Sequence, residues 1–313
     1  MKQHKRMTIL VTGGAGFIAS HVADAYINAG HRVIIIDNLN TGFRKNVNPK
    51  AIFYKTDIRD LDALEKIFKK ERPTIVNHHA AIAEVVKSIN NPIPTYDVNV
   101  IGTANVLLCF GKYGKGSHRR FIFSSTGGAI YGEPETIPAT EETSKSPLSP
   151  YGLSKYLGEE VIKFYSKIYG FNYLIFRYPN VYGPRQNPKG EAGVIAIFCG
   201  LMLKGERPLI FGDGTKSRDY MFVADIVRAN MLALSKSKNE IVNIGWGKEI
   251  SDQLIFNTLA QVMGFKKPVR YAPYRKGEVY RIALSAQKAR RLLGWKPQIS
   301  LKEGMRQVYE SLR

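Results

Sequence analysis

Apolar residues in the first half of the chain fall in short runs that alternate with longer stretches of helical spacing. Met7–Val11, Arg32–Ile36, Ala51–Lys55, Thr74–His78, Arg120–Ser124 and Asn172–Arg177 read as strands. Between them, Gly16–Ala29, Leu61–Lys70, Thr95–Tyr113 and Tyr151–Tyr169 read as helices. Strands separated by helices of about ten residues or more form βαβ units and a parallel sheet. Right-handed crossovers then put helices on both faces. After Tyr178, the residues Pro179, Pro184 and Pro188 and several glycines break the pattern, leaving helical pieces near Val194–Leu203, Asp225–Leu234 and Ile255–Met263. The expected fold is α/β. A Rossmann-type, doubly wound parallel sheet spans residues 1–179, with a return strand near 241–245, and a smaller mixed α/β substrate lobe spans 180–313.

Composition narrows the class without naming a function. Hydrophobic residues make up 44% of the 313, as in ordinary globular proteins. No apolar run approaches the roughly 20 residues of a membrane span. The basic start Met1–Arg6 precedes only a five-residue apolar run, too short for a secretory core, so a solvated leader is expected. Cys109 and Cys199 are far apart and outside any CxxC, which reads as two buried thiols in a reducing, cytoplasmic setting. His78 and His79 are adjacent and would point to opposite faces of a strand, so no metal site is expected. The net charge of +20 favours anionic partners. The basic residues form only short clusters such as Lys112 to Arg120, without interleaved aromatics, so solvated basic faces are expected rather than a nucleic-acid site.

Chemistry enters at the first strand–helix junction. Thr12-Gly13-Gly14-Ala15-Gly16-Phe17-Ile18-Ala19 stands between them. Gly13 permits a tight turn, Gly16 lets the backbone approach a pyrophosphate, and the helix that follows aims free amides at it. Ala19 is small enough for close helix–strand packing. Asp37 closes the second strand about 20 residues later, where a carboxylate binds ribose hydroxyls and repels a 2′-phosphate. NAD is therefore expected over NADP, against which Arg32 and Arg44 stand as nearby cations; an Asx turn with Asn38 is the alternative role for Asp37. Tyr151 and Lys155 form an i, i+4 pair on one helix face. A phenol is a weak base at neutral pH, and a neighbouring ammonium favours the phenolate. Ser124-Ser125-Thr126, at the end of the preceding strand, offers a hydroxyl at the carboxyl edge where open sheets bind ligands.

Together these motifs resemble the UDP-glucose 4-epimerase family of extended short-chain dehydrogenases. The glycine turn, Asp37-Asn38-Leu39, Asp57-Ile58, His79-Ala80-Ala81, Asn99, Ser124-Ser125-Thr126, Tyr151/Lys155, Arg177 to Pro184, Arg218-Asp219-Tyr220 and Arg275-Lys276-Gly277-Glu278 occur in the family's order. The resemblance runs from Met7 to about Pro297. It implies Thr126 as catalytic hydroxyl, with Ser125 as the alternative, Tyr151 as acid/base and Lys155 on the nicotinamide ribose. It implies a cofactor site of Gly13, Gly16, Phe17, Ile18, Asp37, Asn38, Asp57, Ile58, Ala80, Ala81, Asn99, Ser124 and Tyr178. Asn180, Phe211, Arg218, Arg275 and Glu278 would hold the nucleotide diphosphate, and Ile282 would limit the size of the sugar's 2-substituent, admitting N-acetylated sugars. The implied reaction is transient oxidation of a UDP-hexose at C4 by a homodimer.

Three features depart from the pattern: the added residue in Gly127-Gly128, Trp246 in place of a small residue, and Ser285 in place of an aspartate. Related dehydratases need an acid directly after the catalytic threonine, where this chain has Gly127 and Gly128. A non-catalytic NAD-containing relative that binds nucleic acid or protein would generally lose the Tyr/Lys pair, which is intact here.

Overall fold

A computed structural model describes residues 6–188, 193–236, 239–275 and 277–313. Most of the basic leader, and Lys276 of the late motif, lie outside the described residues. Seven parallel strands form the central sheet in the spatial order Glu240–Asn243, Asn172–Tyr178, Arg120–Thr126, Ile75–His78, Thr8–Thr12, Arg32–Asp37, Ile52–Lys55. The order reverses beside Thr8–Thr12, so a crevice opens at the carboxyl ends of that strand and of Ile75–His78.

The strands read as continuous apolar runs because both faces are covered. In the first three central strands Ile9, Val11, Val33, Ile35 and Ile75 face one core, while Leu10, Ile34, Ile36 and Val76 face the other. Helices Phe17–Asn28, Val223–Ala233 and Gln287–Leu293 cover the first face; Leu61–Glu71, Thr103–Tyr113 and Pro150–Tyr169 cover the second. Two covering helices of the first face thus come from the C-terminal half of the chain. Trp295 anchors that region, with its indole N–H donating to the Asp225 carbonyl at 2.9 Å.

The rest of that half has its own core around Phe198, Ile210, Phe222, Leu259 and Met305. Helices Val194–Leu203, Asp252–Met263 and Leu301–Leu312 pack over three small strand pairs: Asn180–Tyr182 with Tyr220–Phe222, Leu209–Phe211 with Arg270–Ala272, and Ser217–Arg218 with Ile250–Ser251. Several elements were not expected from the sequence. The helix expected over 95–113 begins as a short helix at Ile93–Tyr96 and passes through a wide π turn at Asp97–Gly102. Val85–Asn90 and Leu301–Leu312 are also helices; the latter is capped by Ser300, whose hydroxyl accepts from Glu303 N. No described helix is long and apolar enough to cross a membrane.

Candidate active site

The glycine turn has the conformation its residues demand. Gly13 has φ +68°, and a Cβ there would stand 2.8 Å from Ala80 N and 2.9 Å from Ala80 Cα. Its N–H donates to the Ile36 carbonyl, and Gly16 N–H donates back to the Gly13 carbonyl at 3.0 Å. Gly16 caps the helix Phe17–Asn28 with no side-chain cap, so the first-turn amides are left for an anion. Thr12 locks the turn to the neighbouring strand. The Thr103 hydroxyl donates to the Asn99 carbonyl, so His78 Nε2–H donates to Thr103 and His78 Nδ1 accepts from Thr12 at 2.6 Å. Thr12 Oγ1 is then free to accept from the amides of His79 and Ala80.

Asp37, Asn38, Asp57 and Ile58 cluster at the ends of the adjacent strands, outside the main cavity. Asp37 accepts from Ala15 N at 3.0 Å and from Leu39 N at 2.7 Å, so it braces the glycine turn and makes an Asx turn with its own loop. Each carboxylate oxygen keeps room for a further donor. The two arginines that left the NAD preference open are engaged elsewhere: Arg32 pairs with Glu71, and Arg44 lies 4.6 Å over the Phe53 ring. Arg59 holds the Asp57 carboxyl well below the usual carboxylate range, with Asn38 Nδ2 donating to it at 2.9 Å. Ile58 is buried beneath them. Ala80 and Ala81 follow the Ile75–His78 strand, and Ala81 lines the cavity. Asn99 does not: it is buried in the π turn, its amide bonded to Ile82 and to the Ser154 hydroxyl. It stands behind the groove wall and fixes that wall to the Pro150–Tyr169 helix.

That helix starts on Ser149, whose hydroxyl accepts from Gly152 N, with Pro150 in the first turn. Tyr151 and Lys155 consequently share the face above the Arg120–Thr126 strand. Lys155 is 4% exposed; its ammonium donates to the Ser124 carbonyl at 2.6 Å and lies 4.6 Å over the Phe123 ring. Burial lowers its pKa to about 7, against a small opposing pull from Glu159. Burial raises the Tyr151 phenol to about 12, and a hydrogen bond with the Thr126 side chain partly counters it. Ser125 has a different role. Its hydroxyl donates to Glu159 at 2.6 Å, and Glu159 forms a buried bidentate pair with Arg177. Thr126 is the hydroxyl that meets Tyr151.

A cavity of about 760 Å³ runs from Gly13, Gly16, Phe17 and Ile18 past these residues to the second core. Tyr178 forms part of its floor; its ring stacks on His79, and its hydroxyl accepts from Asn230 Nδ2 at 2.8 Å. At the far end lie Asn180, Phe211, Arg218, Arg275 and Glu278. The Arg275 guanidinium sits 3.5 Å over the Phe211 ring. Arg218 is buried and, among the described residues, donates only to the carbonyls of Ser217, Val279 and Tyr280. Neither Asp219 nor Asp225 pairs with it. Asp219 accepts from the amides of Trp246, Gly247 and Leu284, while Asp225 takes Arg228 and the amides of Gln298 and Ile299. A buried guanidinium held by carbonyls alone is a site for an anion.

Ile282 corrects the sequence reading. It is 2% exposed, packed among Ile130, Tyr131, Val279 and Leu284, and absent from the cavity lining. It does not face the cavity, so the argument for N-acetylated sugars built on it loses its structural basis. Conversely, the lining includes His79, Lys216, Asp252 and Arg270, which the sequence reading did not assign. His79 could have been read from its place directly after a strand, and Lys216 from its place two residues before Arg218. Nothing in the sequence marks Asp252. Five cationic side chains and two carboxylates line the cavity, a balance suited to a polyanionic ligand. Among the described residues, no group of three or more His, Cys, Asp or Glu side chains is placed to hold a metal.

Residues 9–245 match the NAD dependent epimerase/dehydratase family. The chain is 52% identical over 300 residues to a Methanocaldococcus jannaschii protein provisionally named a UDP-glucose 4-epimerase, covering 96% of each. The crystal structure of the Thermotoga maritima UDP-glucose 4-epimerase with UDP-glucose superposes with a TM-score of 0.95 at 47% identity, covering 97% of this chain and 98% of that one. The Thermus thermophilus UDP-glucose 4-epimerase in complex with NAD gives a TM-score of 0.93 at 39% identity, covering 98% and 99%.

Proposed function

The chain belongs to the NAD dependent epimerase/dehydratase family, and from that premise we propose that it interconverts UDP-glucose and UDP-galactose at C4 with bound NAD. The observation that carries the reading is one continuous cavity joining the Thr126–Tyr151–Lys155 cluster to the unpaired Arg218 guanidinium. Gly13, whose neighbours leave no room for a side chain, and the open helix start beyond Gly16 fit the pyrophosphate of the dinucleotide. Asp37, Asn38, Asp57 and Ile58 would hold its adenosine, and Ser124, Lys155 and Tyr178 its nicotinamide half.

When bound, NAD supplies a reversible hydride acceptor. The protein's part is to move a proton and hold the sugar. Tyr151 takes the proton from the C4 hydroxyl, and Thr126 shares a hydrogen bond with that oxygen. Lys155 assists as an ammonium: ligand phosphates supply the counter-charge that its buried site otherwise lacks, and the restored cation favours the Tyr151 phenolate. Arg218, Arg275, Asn180, Phe211 and Glu278 grip the nucleotide. Ala81, Ala83, Val85, Val86 and Leu148 form an apolar wall near Tyr151, which leaves the 4-keto sugar free to turn and present its other face. On this reading the described residues up to Pro179, joined by Glu240–Asn243 and two covering helices, serve as the cofactor half, and most of the described residues beyond serve as the nucleotide-sugar half.

A dehydratase reading has no support at Gly127 and Gly128, which carry no acid where that chemistry needs one. The test is incubation of the NAD-loaded enzyme with UDP-galactose. UDP-glucose as product supports the assignment, and a 4-keto-6-deoxy product or no turnover refutes it.

The same reading includes a homodimer in the cytoplasm. Leu153, Leu157, Phe164 and Ile168 lie 37–62% exposed along the outer stripe of the Pro150–Tyr169 helix, an apolar seam that a second copy would cover. Light scattering should give twice the chain mass and, for Phe164→Glu, a monomer.

A further inference from the structure

Lys216 belongs to none of the groups assigned above, yet its ammonium lies inside the cavity, 13% exposed, between two carboxylates. It contacts Glu278 Oε2 at 2.6 Å and Asp252 Oδ2 at 3.3 Å. The arrangement is built by the backbone. Ser217–Arg218 pairs antiparallel with Ile250–Ser251, and Asp252 N donates to the Lys216 carbonyl at 3.0 Å, bringing both residues to one end of that short ladder. Lys216 directly precedes that strand, and its side chain and that of Arg218 both line the cavity.

Both acids are also neighbours of the arginines. Glu278 approaches Arg275 at 3.8 Å, and the charges of Asp252 and Glu278 are felt at Arg218. A carboxylate that closed on either guanidinium would neutralise it and would repel a diphosphate in the same place. Lys216 instead takes the close contacts of both acids, leaving Glu278 at 3.8 Å from Arg275, and among the described residues Arg218 keeps only carbonyl partners.

We propose that Lys216 is a positioning residue for the nucleotide diphosphate: by holding Asp252 and Glu278, it keeps Arg218 and Arg275 available to the phosphates. This rests on the epimerase reading of the site. Its signature is a loss that depends on the ligand's phosphates and is reversed by removing an acid.

The experiment is calorimetric titration of the NAD-loaded enzyme with UDP and with uridine, alongside steady-state kinetics on UDP-galactose. For Lys216→Met the UDP Kd should rise about tenfold or more while the uridine Kd changes by less than about threefold. KM should rise with the UDP Kd and kcat stay within about twofold, as for a group that acts on binding alone. Lys216→Arg should retain wild-type affinity, and Lys216→Met/Asp252→Asn should recover most of the loss. A Lys216→Met enzyme that binds UDP like wild type overturns the proposal. So does a double variant as weak as the single one, which would mean that the ammonium acts only by touching phosphate. Should Lys216→Met fail to fold, Lys216→Gln serves the same comparison. A wild-type enzyme that binds no UDP overturns the epimerase reading itself, and is recognised before any variant is made.

Discussion

Removing the bound nucleotide should expose the energetic cost of burying Lys155. Its amine is nearly enclosed, donates to the Ser124 carbonyl and has no carboxylate within ion-pairing distance among the described residues. Burial lowers its pKa from 10.5 to about 7. Below about pH 7 the amine is charged in both folded and unfolded chains, and the fold carries the full penalty. Between pH 7 and 10.5 the unfolded chain keeps the proton and the folded one releases it, so stability rises with pH. Each pH unit in that window is worth about 1.4 kcal/mol. From pH 7 to about pH 9.5, well below the raised phenols of Tyr131 and Tyr151, the gain should be about 2–3 kcal/mol once water penetration is allowed for. Burial lowers Lys145 as well and adds a slope of the same sign, so the comparison with Lys155→Met isolates the term. The assay is urea unfolding of nucleotide-free wild type and Lys155→Met at both pH values. The wild type should gain stability that the variant does not, and NAD plus UDP should flatten the wild-type slope. Parallel profiles for the two proteins would refute the reasoning.

Other perturbations follow from the same geometry. Gly13→Ala combines a left-handed φ with overlap on Ala80, so it should lower stability by about 2–4 kcal/mol; urea unfolding reads the first effect, and a fluorescence titration should show weakened NAD binding. Thr126→Val should lower kcat by about ten- to a hundredfold with little loss of stability, because its hydroxyl meets Tyr151. Ser125→Ala should do the reverse, leaving the Glu159–Arg177 pair short of a donor and costing about 1–3 kcal/mol of stability, with kcat nearly unchanged. Equal kinetic effects of the two substitutions would contradict the division of roles.

The sheet and its catalytic edge were legible because their physics is local. Strands buried on both faces read as apolar runs such as Val33–Ile36, Gly13 marks a turn that only glycine can make, and helical spacing puts Tyr151 and Lys155 on one face, where the Ser124-Ser125-Thr126 run and the family resemblance single them out. The second half was less legible for an equally physical reason. Its strands are two or three residues long and owe their pairing to tertiary packing, so no periodicity announces them. The helix Leu301–Leu312 does carry a local signal, the Ser300 cap with Glu303 three residues on. Asn99 and Ile282 lie in the right neighbourhood but face inward, and side-chain direction inside a π turn or an irregular segment is not encoded by spacing. Lys216 became visible only when its two acids were brought together from residues 252 and 278.

The central claim is that the Tyr151 phenol moves the proton at C4. The most direct measurement is conversion of UDP-galactose to UDP-glucose by wild type and Tyr151→Phe, with UDP and NAD binding followed in parallel. The turnover number of Tyr151→Phe should fall by at least about a hundredfold, with both ligands still bound at near wild-type affinity. A phenylalanine enzyme that epimerises at close to the wild-type rate would contradict it.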